Sequence, residues 1–427
     1  MKKVLLITYY WPPAGGAGVQ RVLKFAKYLP QFGWMPVVLT VPNPDAPVED
    51  PTLEQDIPKE CKVYKIKAWE PFNLYKKFTG KKETEKIPAD ILVKNDKSVR
   101  ENLAKWVRAN LFIPDAKIGW YPKAVKQGLN IIRDEKIDLI FASAPPPTTT
   151  LIGKSLARKT DKKFIVDFRD PWLEIVYYQN IHRSKITTFI DSRLEKKVLK
   201  SADSVVTISD DIARLLESKV HNIQCEVIPN GFDESDFHET NSKRNDKFTI
   251  AYTGSMSDDR VPFPLLDALS KFKSEGITDL RLTFAGRFTS KFYDYIEKLN
   301  ITDFFDIKPF VPHSESTKIL QNSDTLLLVI DDVPNNKGFL TGKIFEYLGT
   351  KKPIFAIGPV DGDANKILIE SDSGKMVDYK DYDGAYKLLK EYYLNWKEDK
   401  ITFTFRSDKY SRRKNAEQLA KIMDKLI

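Results

Sequence analysis

Short apolar runs of strand length alternate with amphipathic segments from one end of the chain to the other, the pattern of parallel sheets covered by helices on both faces. In the first half, runs at 4–8, 37–41, 63–66, 139–142, 164–167, 205–208 and 226–228 predict strands. Helices are expected to begin near Val19, Val99, Lys123, Thr148, Lys185 and Asp210. A polar, acidic stretch at 233–247, almost without apolar residues, reads as a linker. Beyond it the alternation restarts, with strands at 249–252, 280–284, 305–307, 325–330 and 353–357 and helices at 265–272, 291–299, 314–321 and 343–348. No short internal repeat emerges, so the halves are two similar architectures and not a solenoid. A last helical stretch, 409–426, has no strand after it and is free to pack elsewhere. The expected class is α/β: two Rossmann-like doubly wound domains, 1–232 and 248–405, facing across a cleft. Open α/β sheets bind ligands beyond the carboxyl ends of their strands, so function is expected there.

Composition narrows the classes. With 427 residues, 42% of them hydrophobic and 30% charged, the chain is long enough for two or three domains and is neither disordered nor a disulfide-stapled scaffold. No run reaches the ~18 to 20 apolar residues of a membrane-spanning helix. Cys61 and Cys225 stand far apart in no metal-ligand pattern, which fits a reducing compartment. Lys2 and Lys3 followed by an apolar segment imitate a signal peptide, but Pro12 and Pro13 interrupt it early, and a cytoplasmic chain is expected.

The net charge of +9 is unevenly spread: +14 over residues 1–200, −7 over 201–240 and +2 over 241–427. A solvated basic surface is one reading; an anionic partner is the other. Nucleic acid is not expected, since there is no zinc-finger spacing, RNP-type motif or basic recognition helix. An anionic membrane surface has local support. Between Trp69 and Lys126, aromatic residues (Trp69, Phe72, Tyr75, Phe78, Trp106, Phe112, Trp120, Tyr121) interleave with Lys76, Lys77, Lys81, Lys82, Lys105, Arg108 and Lys123. Val99, Leu103, Trp106, Val107 and Leu111 within it follow helical spacing, which also suits a core face.

Three segments carry candidate chemistry. The first strand runs into Pro12-Pro13-Ala14-Gly15-Gly16-Ala17-Gly18-Val19-Gln20-Arg21, where glycines would let backbone amides approach a phosphate at a helix terminus. Arg21 stands where a dinucleotide fingerprint needs its third glycine, and no acidic residue closes the second strand, which disfavours a nicotinamide enzyme. There is no Walker A sequence either. In the second segment, Gly338, Thr341 and Gly342 precede a helix, Lys343 could neutralise a diphosphate, and Glu346 lies one turn on, suited to ribose hydroxyls. In the third, Arg169 and Asp170 follow the strand that ends at Asp167 and are expected to face the cleft; a buried structural Asp–Arg pair is the alternative. His182, His221, His238 and His313 form no metal-like cluster.

Together these residues resemble the GT-B glycosyltransferases of family 4, retaining enzymes that move a sugar from a nucleotide sugar. The resemblance covers nearly the whole chain. It is carried by Tyr10-Trp11-Pro12-Pro13 with Gly15, Gly16 and Arg21; by Asp167-Phe168-Arg169-Asp170-Pro171-Trp172; by Ile228-Pro229-Asn230-Gly231-Phe232-Asp233; by Tyr252-Thr253-Gly254; and by Lys343-Ile344-Phe345-Glu346-Tyr347-Leu348 with Lys352-Pro353. It implies that Gly15 and Gly16 border the donor diphosphate and sugar, and that Glu346 holds the ribose. The family's usual Gly-Arg, with a Lys five residues after the Arg, reads here Gly254-Ser255 with Arg260 at the Lys position. One diphosphate cation is therefore absent or supplied elsewhere, with Lys343 and Arg287 as the candidates. The Glu usually eight residues before Glu346 is Gly338, and the His-Asp after the fifth strand is Arg169-Asp170.

The resemblance also implies a catalytic group of Arg169, Asp170, Arg260 and Lys343, no bound metal or other cofactor, and a terminal helix at 406–427 packing back towards the first domain. Its donor would be a nucleoside-diphosphate sugar, with UDP favoured by its frequency in the family. The acceptor would be a glycan or a polyprenyl or other lipid-linked sugar in surface polysaccharide or glycolipid synthesis, on the inner face of a membrane. A non-catalytic nucleotide-sugar-binding scaffold and a GT-B nucleotide-sugar 2-epimerase are the alternatives.

Overall fold

In the first strand Leu5 and Ile7 face one core layer, Val4 and Leu6 face another, and all four are fully buried. A strand covered on both sides shows an apolar run instead of alternation, which is why its neighbours are legible as runs. The structure, a computed structural model, describes residues 1–44, 46, 49–68, 106, 109–110, 112–174, 183–237, 244–400 and 402–427, with the backbone alone for Ala17 and His313. The chain divides into two compact units, Met1–Pro229 with Asn415–Ile427, and Asn230–Lys414.

The first unit is built on seven parallel strands: β1 (Lys2–Ile7), β2 (Trp34–Thr40), β3 (Lys62–Lys65), β4 (Leu139–Ala144), β5 (Lys163–Phe168), β6 (Ser204–Thr207) and β7 (Cys225–Val227). Their order is β3-β2-β1-β4-β5-β6-β7. On one face lie α1 (Ala17–Tyr28), through Val22 and Leu23, and the last helix of the chain, through Ala416, Leu419 and Met423. The other face is covered by α2 (Tyr121–Asp134), α3 (Thr148–Thr160), α4 (Lys185–Ser201) and α5 (Asp210–Lys219), which bury Ile131, Ile152, Leu156, Val198 and Leu216.

The second unit has six parallel strands, β8 (Phe248–Thr253), β9 (Leu280–Ala285), β10 (Phe305–Lys308), β11 (Thr325–Val329), β12 (Ile354–Ile357) and β13 (Gly374–Val377), in the order β10-β9-β8-β11-β12-β13. Its helices are α6 (Phe263–Ser274), α7 (Ser290–Lys298), α8 (His313–Gln321), α9 (Gly342–Thr350), α10 (Asp363–Ser371) and α11 (Tyr382–Lys397). The final helix, α12 (Arg412–Leu426), begins in this unit and runs on into the first.

The α/β class and every strand expected from the pattern are present, with ends shifted by at most three residues, the most at the start of β2. β13, α10 and α11 extend the second sheet beyond the expected strands. The division at Pro229 and Asn230 lies upstream of the acidic stretch, because Phe232 and Phe237 pack against the core of the second unit under Tyr347 and Leu348. Of the basic, aromatic segment, Trp69, Phe72, Tyr75, Phe78 and their lysines lie outside the described residues, as do Val99, Leu103, Val107, Leu111, His182 and His238. Trp120 is a core residue, fully buried and edge-on to Tyr9 at 5.8 Å. No described helix is long and apolar enough to cross a membrane.

Candidate functional site

In each sheet the order reverses beside one strand, between β1 and β4 in the first unit and between β8 and β11 in the second. The loops leaving such strands diverge and open a crevice at their carboxyl ends. The sequence-predicted residues fall at these two places.

In the first unit, β1 delivers the chain to Gly16, whose φ of 94° suits glycine alone, and α1 starts there without a side-chain cap. Gly15 is buried and Gly16 exposed. Arg169 follows β5 and is 6% exposed. Its Nε donates to the Ala144 carbonyl at 3.0 Å, one Nη to Pro145 O at 2.9 Å, and the other Nη to Gly18 O. A Cβ on Gly18 would meet this guanidinium at 3.0 Å. Burial pulls the Arg169 pKa down, opposed by Asp167 and Asp170. Arg169 thus ties the glycine-rich turn to the end of β4. Asp170 beside it is partly buried, and burial raises its pKa against the pull of Arg169.

A different buried Asp–Arg pair joins this strand end to α1. Arg21 and Asp167 both have fully buried side chains and meet at 2.8 Å. Ser143 Oγ donates to the same carboxylate at 2.7 Å, and Arg21 reaches the Pro229 carbonyl at 3.1 Å.

In the second unit the loops after β8, β9 and β11 lock together. Gly254 (φ 112°) donates to Ala285 O at 2.8 Å, and Met256 N donates to Arg287 O at 2.9 Å. Gly286 (φ 149°) comes so close that a Cβ would lie 2.2 Å from Gly254 O. Gly286→Ala should therefore cost about 1 to 3 kcal/mol from the strained φ alone, read as a lower thermal midpoint; an unchanged midpoint would mean the two loops part freely.

Arg260 holds Asp331 in a bidentate pair at 2.6 and 2.8 Å. Burial works against its charge, but Asp331 outweighs this and raises its pKa. Asp332 N donates to Asp259 O at 2.8 Å, so two hydrogen-bonded links join the loops of β8 and β11. Ser255 is exposed, and its carbonyl accepts from Tyr252 Oη at 2.9 Å and from Arg260 at 3.1 Å.

Lys343, at the start of α9, points back across this loop. Its Nζ lies 3.9 Å from the centre of the Tyr252 ring and is shielded from solvent with no hydrogen-bond partner. A Cβ on Gly254 would touch it at 2.9 Å. Burial, and then the charge of Arg260, pull its pKa down to about 7, against Glu346 and Asp331. Thr341 caps α9 without using its side chain, and its Oγ1 is buried and unpartnered; Thr289, at the start of α7, repeats the arrangement. An ammonium and two hydroxyls thus lie without partners at the carboxyl end of one sheet, which is the donor set an anion needs. Glu346 stands one turn along α9, partly exposed. Gly338 is buried in the turn closed by Phe339 N on Asn336 O, while Arg287 is exposed.

The structure therefore gathers Gly254, Ser255, Arg260, Thr341, Gly342 and Lys343 in the second unit and Gly15, Gly16, Arg169 and Asp170 in the first. The pattern missed Asp331, Tyr252, Thr289 and the Arg21–Asp167 pair. Asp331 carried a signal, a carboxylate directly after an apolar strand; the others depend on which loops meet.

The sequence model of Glycosyltransferase Family 4 matches residues 14–236, just over half of the chain. The chain belongs to that family. No curated protein matches it in sequence. Among solved structures, a sucrose-phosphate synthase from Thermosynechococcus elongatus is 15% identical with a TM-score of 0.62, covering 100% of this chain and 99% of that one. HepE from Anabaena, solved with UDP, is 14% identical with a TM-score of 0.62 and full coverage of both chains. WaaG, a glycosyltransferase involved in lipopolysaccharide biosynthesis, is 10% identical with a TM-score of 0.52, covering 99% of this chain and 96% of that one. At such identities the likeness concerns the fold, GT-B. The protein is a glycosyltransferase of the family 4 type with that fold.

Proposed function

We propose that this glycosyltransferase moves a sugar from a nucleoside-diphosphate sugar, a UDP-sugar, to a glycan or lipid-linked acceptor with retention of configuration. The observation that carries the reading is the buried, unpartnered Lys343 ammonium beside Gly254 at the start of α9. The complex of HepE with UDP and the role of WaaG in lipopolysaccharide biosynthesis support the donor class and a place in surface polysaccharide or glycolipid synthesis.

In this reading the diphosphate lies against Gly254 and the N-terminal amides of α9, with Thr341 and Thr289 as further donors. Lys343 supplies the cation that Ser255 does not. Arg260 is held by Asp331, so it positions the loop and adds its field, while Glu346 takes the ribose hydroxyls. The bond from the anomeric carbon to the diphosphate breaks, the acceptor oxygen attaches on the same face, and its proton passes to the departing phosphate oxygen. Fixed donors aimed at the charge that develops there lower the barrier, and protein cations take the part a metal would otherwise play. Within the first unit Arg169 fixes the glycine-rich turn, and Asp170 stands beside it. The enzyme works at the cytoplasmic face of a membrane.

Calorimetry and thermal shift with UDP, GDP, ADP and dTDP and their common sugar conjugates, in EDTA, test the reading. One nucleoside diphosphate should bind without metal and at 100 times its Kd add about 2.7 kcal/mol of stability, and Glu346→Ala should abolish this. Binding by none of them, or only with a divalent cation restored, would overturn it.

A further inference from the structure

Helix α4 has an inside-out charge distribution. Its only two acids, Asp191 and Glu195, are fully buried. Asp191 accepts from Trp172 Nε1 at 2.8 Å and pairs with Arg183, and Glu195 pairs with Lys219 at 2.8 Å. Val198 and Leu199 complete the inner face against the sheet. What remains outside carries no negative charge: it is basic, apolar or, at Thr188 and Ser201, neutral and polar. Lys185, Arg193, Lys196, Lys197 and Lys200 are exposed, and among the described residues none of them has an acidic partner. In the first two turns Ile186 is 72% exposed, Phe189 56% and Ile190 40%. The Arg193 guanidinium lies over the Phe189 ring, its central carbon 4.3 Å from the ring centre, so cation and apolar ring share this face. Asn110 ties Trp106, 48% exposed, to the same end of the helix, since its Nδ2 donates to the Trp106 carbonyl while its Oδ1 accepts from Ser184 N.

From this face we infer that α4 is a docking surface for an anionic lipid bilayer, with Ile186, Phe189 and Ile190 in the head-group boundary and the five cations on the lipid phosphates. Exposed large apolar residues contiguous on one helix face mark an interaction site, not a solvated surface. The charge selects the partner. A second copy of this chain, meeting α4 with α4 across a two-fold axis, would set five cations against five. A membrane with anionic lipid offers both things the face lacks, negative charge and an apolar layer a few Å below it. The inference adds a place of contact to the sugar-transfer reading and stands without it, because lipid binding is measured with neither donor nor acceptor.

The test is co-sedimentation of the full chain with vesicles of three parts phosphatidylcholine to one part phosphatidylglycerol, against phosphatidylcholine alone, at low and high salt. Binding should need the anionic lipid and be released by salt. Lys196→Glu and Lys197→Glu should each weaken it about fivefold or more, and Phe189→Glu with Ile186→Glu more than tenfold, all with unchanged thermal midpoints because these side chains face solvent. Equal binding to both vesicle types, none to either, or retention in the α4 variants would overturn the assignment. So would a dimer in sedimentation that Ile186→Glu dissociates, since the face would then be covered by a second copy.

Discussion

Replacing Arg21 by alanine is expected to destabilise the first unit by about 3 to 5 kcal/mol, the largest effect of any single substitution considered. Neither side chain of the Arg21–Asp167 pair meets solvent, and three N–H···O contacts between 2.8 and 3.2 Å join them. Ser143 cannot replace the lost cation, and the Pro229 carbonyl loses one of its two donors, keeping Asn415 Nδ2 at 2.8 Å. The guanidinium also lies 5.0 Å from the centre of the Phe25 ring, so its removal leaves a gap against the core. The cost comes from stranding a buried carboxylate more than from any net attraction in the pair. Arg21→Met with Asp167→Leu should therefore recover most of the loss, since it removes both charges and keeps the volume. Denaturant titration reads this, fitted to the first unit's own transition, because two units need not unfold together. A loss within about 1 kcal/mol for Arg21→Ala, the range of a surface pair, would sink the argument.

That pair also marks where the sequence stops being legible. Asp167 could be seen at a strand end and Arg21 in the first turn of a helix, but their contact, 146 residues apart, follows from β4 and β5 lying beside β1. The strands were readable because both of their faces are buried, which makes each a compact apolar run. β13 was not, since Gly374 and Lys375 form half of a four-residue edge strand with one exposed side chain. In the second unit Gly254, Lys343 and Glu346 could be placed at strand and helix ends from spacing alone. Which cation takes the position left by Ser255 could not, because Lys343 and Arg287 are equivalent as residue types. Folding separates them: Arg287 points to solvent, while Lys343 is laid over Tyr252. The ties of Arg169 were out of reach for the same reason, since its three carbonyl partners belong to loops that meet only in the folded chain.

Donor binding should take up close to one proton at pH 8 and none at pH 6, with Lys343 as the group that gains it. In the empty site burial and the charge of Arg260 hold its pKa near 7, against Glu346 and Asp331, with the Tyr252 ring centre 3.9 Å from the ammonium. A diphosphate arriving beside the ammonium restores the charged form, so above pH 7 binding and protonation are linked. Affinity then falls by up to about tenfold per pH unit from 7 to the raised pKa of the complex. A UDP-sugar is the right probe, because a free terminal phosphate titrates near pH 6 itself. Calorimetry in buffers of different ionisation enthalpy reads the proton directly. Lys343→Arg keeps the charge and should abolish the uptake; Lys343→Met should lose both uptake and affinity. The same depressed pKa sets the stability of the empty protein without reference to any ligand. Between pH 7 and 10.5 the unfolded chain holds a proton on Lys343 that the folded one does not, so folding gains with rising pH, by at most about 1.4 kcal/mol per unit. Lys343→Met should flatten that slope relative to the parent chain. No proton uptake at pH 8, together with parallel stability slopes in parent and variant, would mean that Lys343 is charged in the empty site and has a partner there.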